Sequence, residues 1–399
     1  MYSYSLFHIR AVGIRPLNCR TFDSRAELCY SSLGKLMKDN HYKHILSLLA
    51  LTSTFLCIFS CAKEKWEGKI YKEQGVTIVE NRGPGLWGEG ASEKVQFIED
   101  LSLGEYEGED HLMFVRYLSI AVDSKLNLYI LDRGNHRLLK FDRDGNFLWK
   151  AGRKGQGPGE FQYPGDIALT PSEEVALRDS TSIHFFTKDG KYQKTIKLMG
   201  SFMNFTILPD GRYLAAKMVR GQLGVAAEYY SPEGKLLKQF PDVYRYGPKF
   251  SFGGGAWYGG EFKLYENKLF LSLPCPYEIR EYDLEGKALT KIRRDLEIKP
   301  PEVETKGNSI TFHVSDVSGP CFFYLDEMMV NLVSLVERKN EEKYEFKRFL
   351  DFFNQKWQYL GSYKLPEGRT LAAIDSEGNF YFIQWEPYPK VIRSQMVLF

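Results

Sequence analysis

Two aspartates that each end a strand-like run are the residues of this sequence best suited to acid–base chemistry. Asp132 and Asp179 occupy equivalent positions, and a pair of carboxylates can serve as general acid and general base. The sequence does not show that they approach each other, and an aspartate at a strand end also commonly hydrogen-bonds the loop backbone. Asp166 and Asn204 each stand just before another strand, where their oxygens would suit a cation such as Ca²⁺.

Several motifs resemble metal or phosphate sites but lack residues that such sites need. GQGPGEF (155–161) has no following Lys-Ser/Thr pair, which a phosphate-binding P-loop requires. DRDGN (142–146) starts like a calcium loop, but Arg153 stands where the distal glutamate is expected. The spacings of His111, His136 and His313 do not suit zinc. We therefore predict no catalytic residue, no metal site and no cofactor.

Cationic and aromatic side chains in loops after second strands favour ligand contact instead. Three such cations follow Asp132, and a tryptophan stands in the equivalent loop near the C-terminus. Arg and Trp are enriched among the residues that dominate binding surfaces. The predicted ligand-binding set is Asp132, Arg133, His136, Arg137, Asp166, Asp179, Asn204 and Trp385.

These residues lie on a repeated β-hairpin. Apolar residues alternate on both sides of a polar turn, with the same gap across the turn, in four segments: 120–130, 167–177, 205–215 and 372–382. Such alternation around a Gly/Asp/Ser turn is typical of a hairpin. Residues 262–271 form a copy with a shorter turn, and residues 310–325 a copy with a longer turn. The sequence thus predicts six hairpins.

A second hairpin follows the first within each repeat. An aromatic residue precedes a turn glycine by four positions in four repeats: Phe141 and Gly145, Phe186 and Gly190, Tyr230 and Gly234, and Tyr282 and Gly286. The glycine tolerates the positive φ of a tight turn, and the aromatic can pack between neighbouring sheets. Four strands in about 40–55 residues is the size of a propeller blade. We predict an all-β fold, a six-bladed β-propeller with four-stranded antiparallel blades.

The propeller is expected to span residues 76–399, with its ring closed by an N-terminal strand. VTIVENRG (76–83) is the strand-like piece before the first repeat, and its pairing with the last blade would hide two open sheet edges. Blade five carries an insertion at about 326–350. Its periodicity leaves open a projecting hairpin or a short helix over 341–353.

The N-terminal region predicts export and lipid attachment. Residues 45–59 form a fifteen-residue apolar run, short for a membrane span but suited to a signal peptide. Ile58-Phe59-Ser60-Cys61 resembles a lipobox. We predict a mis-called extension over 1–36, a signal peptide over 37–61 with lipidation at Cys61, and a linker over 62–75. The localisation expected is the bacterial cell envelope, as a periplasmic or outer-membrane lipoprotein that contacts the membrane through its lipid alone.

The net charge bears on the kind of partner, and the cysteine content bears on disulfide bonding. A net charge of +2 gives no reason to expect nucleic acid as a partner. After Cys61 only Cys275 and Cys321 remain. The sequence leaves open whether these two form a disulfide, because their separation in space is unknown.

One repeat and its connector resemble a known family. NHRLLKFDRDGNFL (135–148), followed by GRKGQGPGEFQYPGDIAL (152–169), is similar to the NHL-repeat six-bladed propellers. More closely, it resembles the six-bladed propeller lipoproteins of Gram-negative bacteria. The resemblance implies a fold more strongly than a function.

The leading functional hypothesis is a non-enzymatic binding scaffold that presents loops on one face to a protein, peptide or glycan. The alternative is a metal-dependent hydrolase or lyase, lactonase-like or amidating-lyase-like, with its site in the central channel. Metal analysis of the purified protein distinguishes the two, since a stoichiometric bound Ca²⁺ or Zn²⁺ would favour the enzyme.

Overall fold

The computed structural model describes residues 65–399 except 116, 220–221, 250–259, 301–302, 307–308, 313–315, 326 and 340–343. Over these residues the chain forms β-strands and two single-turn 3₁₀ helices, Ala91–Glu93 and Asp110–Leu112. The predicted extension, the signal peptide and Cys61 lie outside the described residues. Among the described residues, no helix combines the length and hydrophobicity that a bilayer span requires.

Three strands precede the first repeat. They are β1 (Glu67–Glu73), β2 (Val76–Arg82) and β3 (Val95–Leu103). The first two pair as an antiparallel hairpin, whereas β3 pairs with a strand near the C-terminus. The N-terminal strands therefore belong to two different sheets.

The repeats form six blades, each with its strands in antiparallel order from the channel outward. Blade one comprises β4 (Leu118–Val122), β5 (Leu128–Asp132), β6 (Arg137–Phe141) and β7 (Phe147–Ala151). Blade two comprises β8 (Pro164–Leu169), β9 (Val175–Asp179), β10 (Ser182–Phe186) and β11 (Tyr192–Lys197). Blade three comprises β12 (Phe205–Ile207), β13 (Tyr213–Met218), β14 (Gln222–Tyr230) and β15 (Leu236–Gln239), with β16 (Tyr244–Lys249) also paired to β14.

Blades four to six complete the ring. Blade four comprises β17 (Glu261–Tyr265), β18 (Lys268–Ser272), β19 (Glu278–Tyr282) and β20 (Ala288–Arg294). A separate hairpin follows, β21 (Val303–Lys306) with β22 (Ser309–Phe312). Blade five comprises β23 (Val317–Tyr324), β24 (Met328–Arg338), β25 (Tyr344–Asn354) and β26 (Tyr359–Lys364). Blade six comprises β27 (Arg369–Ile374), β28 (Asn379–Gln384) and β29 (Lys390–Leu398), with β3 as its outermost strand.

The core consists of six clusters, and each draws buried side chains from two neighbouring blades. The aromatics four positions before each turn glycine are buried in these clusters: Phe141, Phe186, Tyr230 and Tyr282. All four turn glycines have φ between 77° and 90°, which side chains with a Cβ rarely adopt. The repeated spacing therefore reports both a turn and a contact between blades, and the six-bladed propeller is confirmed.

The ring is closed by an N-terminal strand, but the prediction that 76–83 is that strand is wrong. β3 pairs with β29 from Val391↔Leu103 to Leu398↔Val95. β2 instead runs parallel to β20 on the outer edge of blade four. Asn81 holds it there, since its amide donates to the carbonyls of Arg293 and Trp357, both at 3.1 Å.

Blade five also departs from the prediction. The inner hairpin expected over 310–325 is wrong, because β22 pairs with β21 and the inner strand is β23, which pairs with β24. Strands β24 and β25 pair from Met328↔Asn354 to Arg338↔Tyr344. Of the two alternatives for the insertion, the described residues therefore form a hairpin. We call its outer part, residues 335–339 and 344–348, the arm.

The blades define two faces of the ring. On the upper face lie the starts of the inner strands, the loops between second and third strands, and the connectors between blades. The tight turns around Gly145, Gly190 and Gly234 lie on the lower face. The arm extends on the upper side, since β23 begins opposite Ser334.

The cysteines after Cys61 are both free. Cys321 is fully buried, which raises the pKa of its thiol to about 11. Burial also raises the pKa of the partly exposed Cys275. Because the thiolate is the reactive form, we expect neither to react readily in the native state.

Alkylation with iodoacetamide at pH 8, read by peptide mass spectrometry, tests this. We expect Cys321 to be labelled only when the protein is unfolded in urea, and Cys275, the internal control, to be labelled earlier. Native labelling of Cys321 as fast as in urea, or a Cys275–Cys321 disulfide peptide, contradicts this arrangement.

Candidate functional site

The upper face carries exposed aromatic side chains beside the channel. Tyr117 and Tyr163, which directly precede the inner strands of blades one and two, are 66% and 68% exposed. Met199, in the next connector, is also exposed. Tyr117 has a φ of 74°, an uncommon backbone conformation that clusters at functional sites. Tyr is a frequent contact residue at binding surfaces.

The central channel contains a cavity of about 520 Å³ lined by all six inner strands. Its wall combines aliphatic and aromatic side chains with the polar residues Ser119, Asp166, Thr206, Glu261, Lys263 and Thr370. The Ser119 hydroxyl donates to Asp166 Oδ1 at 2.5 Å, which links blades one and two. Lys263 Nζ lies 2.6 Å from Glu261 Oε1. Although burial alone would lower the pKa of Lys263, Glu261 and Asp166 raise it, so the lysine stays protonated.

A second cavity of about 460 Å³ forms a groove between the arm and the upper face. Its aromatic walls are Tyr344 and Phe346 of the arm, with Tyr117 and Trp385 opposite. Arg348 also lines the groove and lies over the Phe346 ring, with 5.2 Å from Cζ to the centroid. Trp385 lines both this groove and the channel cavity, so the two cavities are neighbours on the upper face.

Charge in the groove is mixed. Glu345, Glu367 and Glu386 line it together with Arg348. Burial lowers the pKa of the Arg348 guanidinium, and among the described residues this arginine has no carboxylate within ion-pair distance. Aromatic walls with a few polar groups are typical of ligand sites.

Two predicted residues lie where ligand contact was expected. Asp166 and Trp385 line the channel cavity at its upper end. Arg133 lies beside them on the upper face, where its Nε donates to the Pro164 carbonyl at 2.9 Å. His136 is partly exposed on the same face with a φ of 53°.

Other predicted residues have internal partners. Asp132 is fully buried and accepts from Arg137 Nε at 3.0 Å and from the Val115 backbone amide at 3.2 Å. Arg137, also buried, donates in addition to the carbonyls of Asp110 and Met113. Their geometry supports a structural role, so their ligand contact stays a prediction.

Asp179 and Asn204 also have internal partners. Asp179 accepts the backbone amide of Gln162 at 2.8 Å and lies 3.6 Å from His184 Nε2. Although burial opposes it, the hydrogen bond from His184 and the amides of Gln162 and Tyr163 lower the pKa of Asp179. Asn204 is buried and its amide lies 3.4 Å from the Gly260 carbonyl, between blades three and four. Asp132 and Asp179 therefore each accept hydrogen bonds from their own blade and from the segment directly before it.

Sequence reasoning missed several residues of the upper face: Tyr117, Tyr163, Arg178, Glu261, Lys263 and Arg348. Arg178 and Lys263 lie inside strands, whereas the repeat pattern points to residues that flank strands. Arg348 lies in the insertion, which has no counterpart in the other repeats. The aromatic residue directly before an inner strand, present as Tyr117 and Tyr163, was the signal available in the sequence.

Donor atoms for a metal do not converge in the described part of the chain, where no group of three His, Cys, Asp or Glu side chains is suitably placed. Asp166 and Glu261 are the carboxylates of the channel cavity. Each already has a partner, a hydroxyl for Asp166 and an ammonium for Glu261.

Comparison with known proteins gives partial matches in sequence. Residues 107–219 match the DUF5128 family model, described as a 6-bladed beta-propeller. NHL repeat-containing protein 3 of Homo sapiens is 32% identical over 128 residues, which cover 29% of this chain and 36% of that protein. The chain thus spans about a third of the length of the curated relatives it matches.

Solved structures match over most of the chain. A putative exported protein from Bacteroides fragilis aligns with a TM-score of 0.53 and 11% identity, covering 81% of this chain and 99% of that one. A member of the duf4221 family from Bacteroides vulgatus aligns with a TM-score of 0.56 and 9% identity, covering 76% and 98%. At such identities the likeness concerns the fold alone. The chain is therefore a six-bladed β-propeller whose residues 107–219 match the six-bladed propeller family model and whose repeats are NHL-like.

Proposed function

We propose that this protein is a non-enzymatic binding module of the bacterial cell envelope, which presents its upper face to a protein, peptide or glycan. The observation that carries the proposal is that the arm groove and the channel cavity lie side by side on the upper face, with Trp385 in the wall of both. Aromatic residues and arginine dominate the walls of the groove, and these residue types supply most of the energy at contact surfaces.

The signal-like segment and Cys61 support the place of action. A lipid on Cys61 would anchor the chain to a membrane, while the linker would leave the propeller free in the periplasm or outside the cell. A rigid ring that holds loops on one face suits recognition, because a preorganised site loses little entropy on binding.

A panel of glycans and peptides immobilised on an array tests the proposal. We expect the purified protein to bind at least one member, and Trp385→Ala to weaken that binding at least tenfold, since truncation of a central aromatic contact costs about 2 kcal/mol or more. The matched control is Lys125→Ala, at an exposed turn on the lower face, which should bind as the unmodified protein does. Absence of binding, or equal binding by the Trp385 variant, would contradict the proposal.

A hydrolase or lyase remains the second candidate because Asp166 and Glu261 are carboxylates inside the channel, where they could serve acid–base chemistry. Metal analysis of the purified protein distinguishes the two. A stoichiometric bound Ca²⁺ or Zn²⁺ that is lost in Asp166→Asn or Glu261→Gln favours the enzyme.

A further inference from the structure

Two arginines flank the start of the inner strand of blade two. Arg133 Nε donates to the Pro164 carbonyl at 2.9 Å. Arg178 lies against the next residue, Gly165, so closely that a Cβ there would overlap its guanidinium. The absence of a side chain at Gly165 therefore makes room for Arg178, and both guanidiniums are held against the segment Pro164-Gly165-Asp166.

Neither guanidinium has an acidic partner at ion-pair distance within the described residues. Within the described part of the chain, Arg178 Nη1 donates to the Phe202 carbonyl at 3.3 Å, and the buried Nε of Arg178 has no acceptor there. Burial lowers the pKa of both guanidiniums, whereas Asp166 raises them. A buried donor without an acceptor costs free energy, and a bound acceptor would remove that cost.

The two guanidiniums supply two positive charges. Asp166 acts on both of them and Asp179 on Arg178, but Asp179 already accepts the backbone amides of Gln162 and Tyr163. An anion can therefore still pair with the guanidiniums, and a singly charged one is favoured because Asp166 repels a second negative charge. Planar guanidiniums match the geometry of a carboxylate, which accepts two parallel hydrogen bonds.

The two arginines lie next to residues of the upper face on which the proposed function rests. The Arg133 guanidinium lies over the Tyr117 ring, 5.7 Å from Cζ to the centroid, and Tyr117 also lines the arm groove. On the other side, the exposed Tyr163 directly precedes Pro164. Tyr117 therefore contacts the Arg133 guanidinium and also forms part of the groove wall.

We propose that Arg133 and Arg178 bind one carboxylate group of the ligand, which is thus a uronic acid sugar or a peptide with a free C-terminus. The inference rests on the proposed function, since it names the chemical group that the upper face recognises. It assigns Gly165 a positioning role, because a larger residue there displaces Arg178.

Isothermal titration with small probes tests the inference. The probes are sodium glucuronate and N-acetylglycine, with glucose and N-acetylglycinamide as neutral counterparts. We expect the protein to bind at least one carboxylate and not its neutral counterpart. Binding of glucuronate alone indicates a sugar acid, and binding of N-acetylglycine alone indicates a peptide terminus.

Variants then locate the site. Arg178→Gln, Arg133→Gln and Gly165→Ala should each weaken carboxylate binding about tenfold or more, the effect of losing a charged hydrogen bond. Arg143→Gln is the matched control, because Arg143 forms an exposed pair with Glu377 on the lower face. Thermal melts identify any variant that fails to fold, in which case the other two carry the test.

Two outcomes overturn the inference: no carboxylate binds, or binding is unchanged in the arginine and glycine variants. If array ligands still bind the arginine variants but no longer bind Trp385→Ala, the carboxylate site is contradicted and the proposed function is supported. If all of these variants still bind the array ligands as the unmodified protein does, the proposed function itself is contradicted.

Discussion

A chain in which a Gly/Ser segment of equal length replaces residues 95–103 should not fold cooperatively. This change removes β3, the strand that pairs with the outer side of β29, so that blade six has an open edge. Within β3, Phe97 contacts three aromatic rings, those of Tyr363, Phe380 and Phe382. The loss of one large core side chain costs about 3–5 kcal/mol, and domain stability is only about 5–15 kcal/mol.

The matched control is the same replacement at residues 67–73. β1 is almost wholly exposed and pairs only with β2, so this variant should keep a cooperative urea transition close to that of the unmodified chain. Circular dichroism and tryptophan fluorescence during urea unfolding give the readout. An unchanged midpoint for the 95–103 variant, or equal loss in the control, would show that β3 does not close the ring.

Asp132→Ala should destabilise the protein by about 3 kcal/mol. The change leaves the buried guanidinium of Arg137 without its buried carboxylate, and removal of one partner of a buried ion pair costs about 3–5 kcal/mol. Asp110 remains 3.1 Å from Arg137 Nη1. Because Asp110 is itself 65% exposed, it offsets only part of this loss.

The free energy of unfolding in urea measures the effect. Arg143→Ala is the control, since both partners of that pair are more than half exposed and such pairs contribute about 0–1 kcal/mol. Folded Asp132→Ala should still bind the ligands found on the array. If its stability is unchanged while ligand binding is lost, Asp132 is a contact residue, as the sequence suggests.

The fold could be predicted because its evidence is local. A hairpin with a fixed gap and an aromatic four positions before a turn glycine each lie within a dozen residues. The closing strand could not be predicted this way, since Leu103 pairs with Val391 across most of the chain. The more regular segment 76–83 is the stronger strand pattern, but the bonds of Asn81 to Arg293 and Trp357 fix it on blade four.

The sequence predicts where on the propeller the candidate site lies, but not which of its side chains are free to contact a ligand. Alignment of the repeats places Asp166 and Trp385 at the channel, but it treats Asp132 in the same way. The difference between them is the buried arginine that pairs with Asp132, whereas Asp166 meets only a hydroxyl at hydrogen-bond distance among its side-chain partners. Residue type and spacing therefore locate the upper face, while the pairing of charges decides which side chains remain available to a ligand.

Hydrogen–deuterium exchange with and without an array ligand tests the central claim most directly, namely that the upper face binds. We expect slower exchange in peptides that contain Tyr117, Tyr163, the arm strand from Tyr344 to Arg348, and Trp385. The turns around Gly145, Gly190 and Gly234 on the lower face should exchange as in the free protein. Protection of those lower turns with none on the upper face would contradict the account.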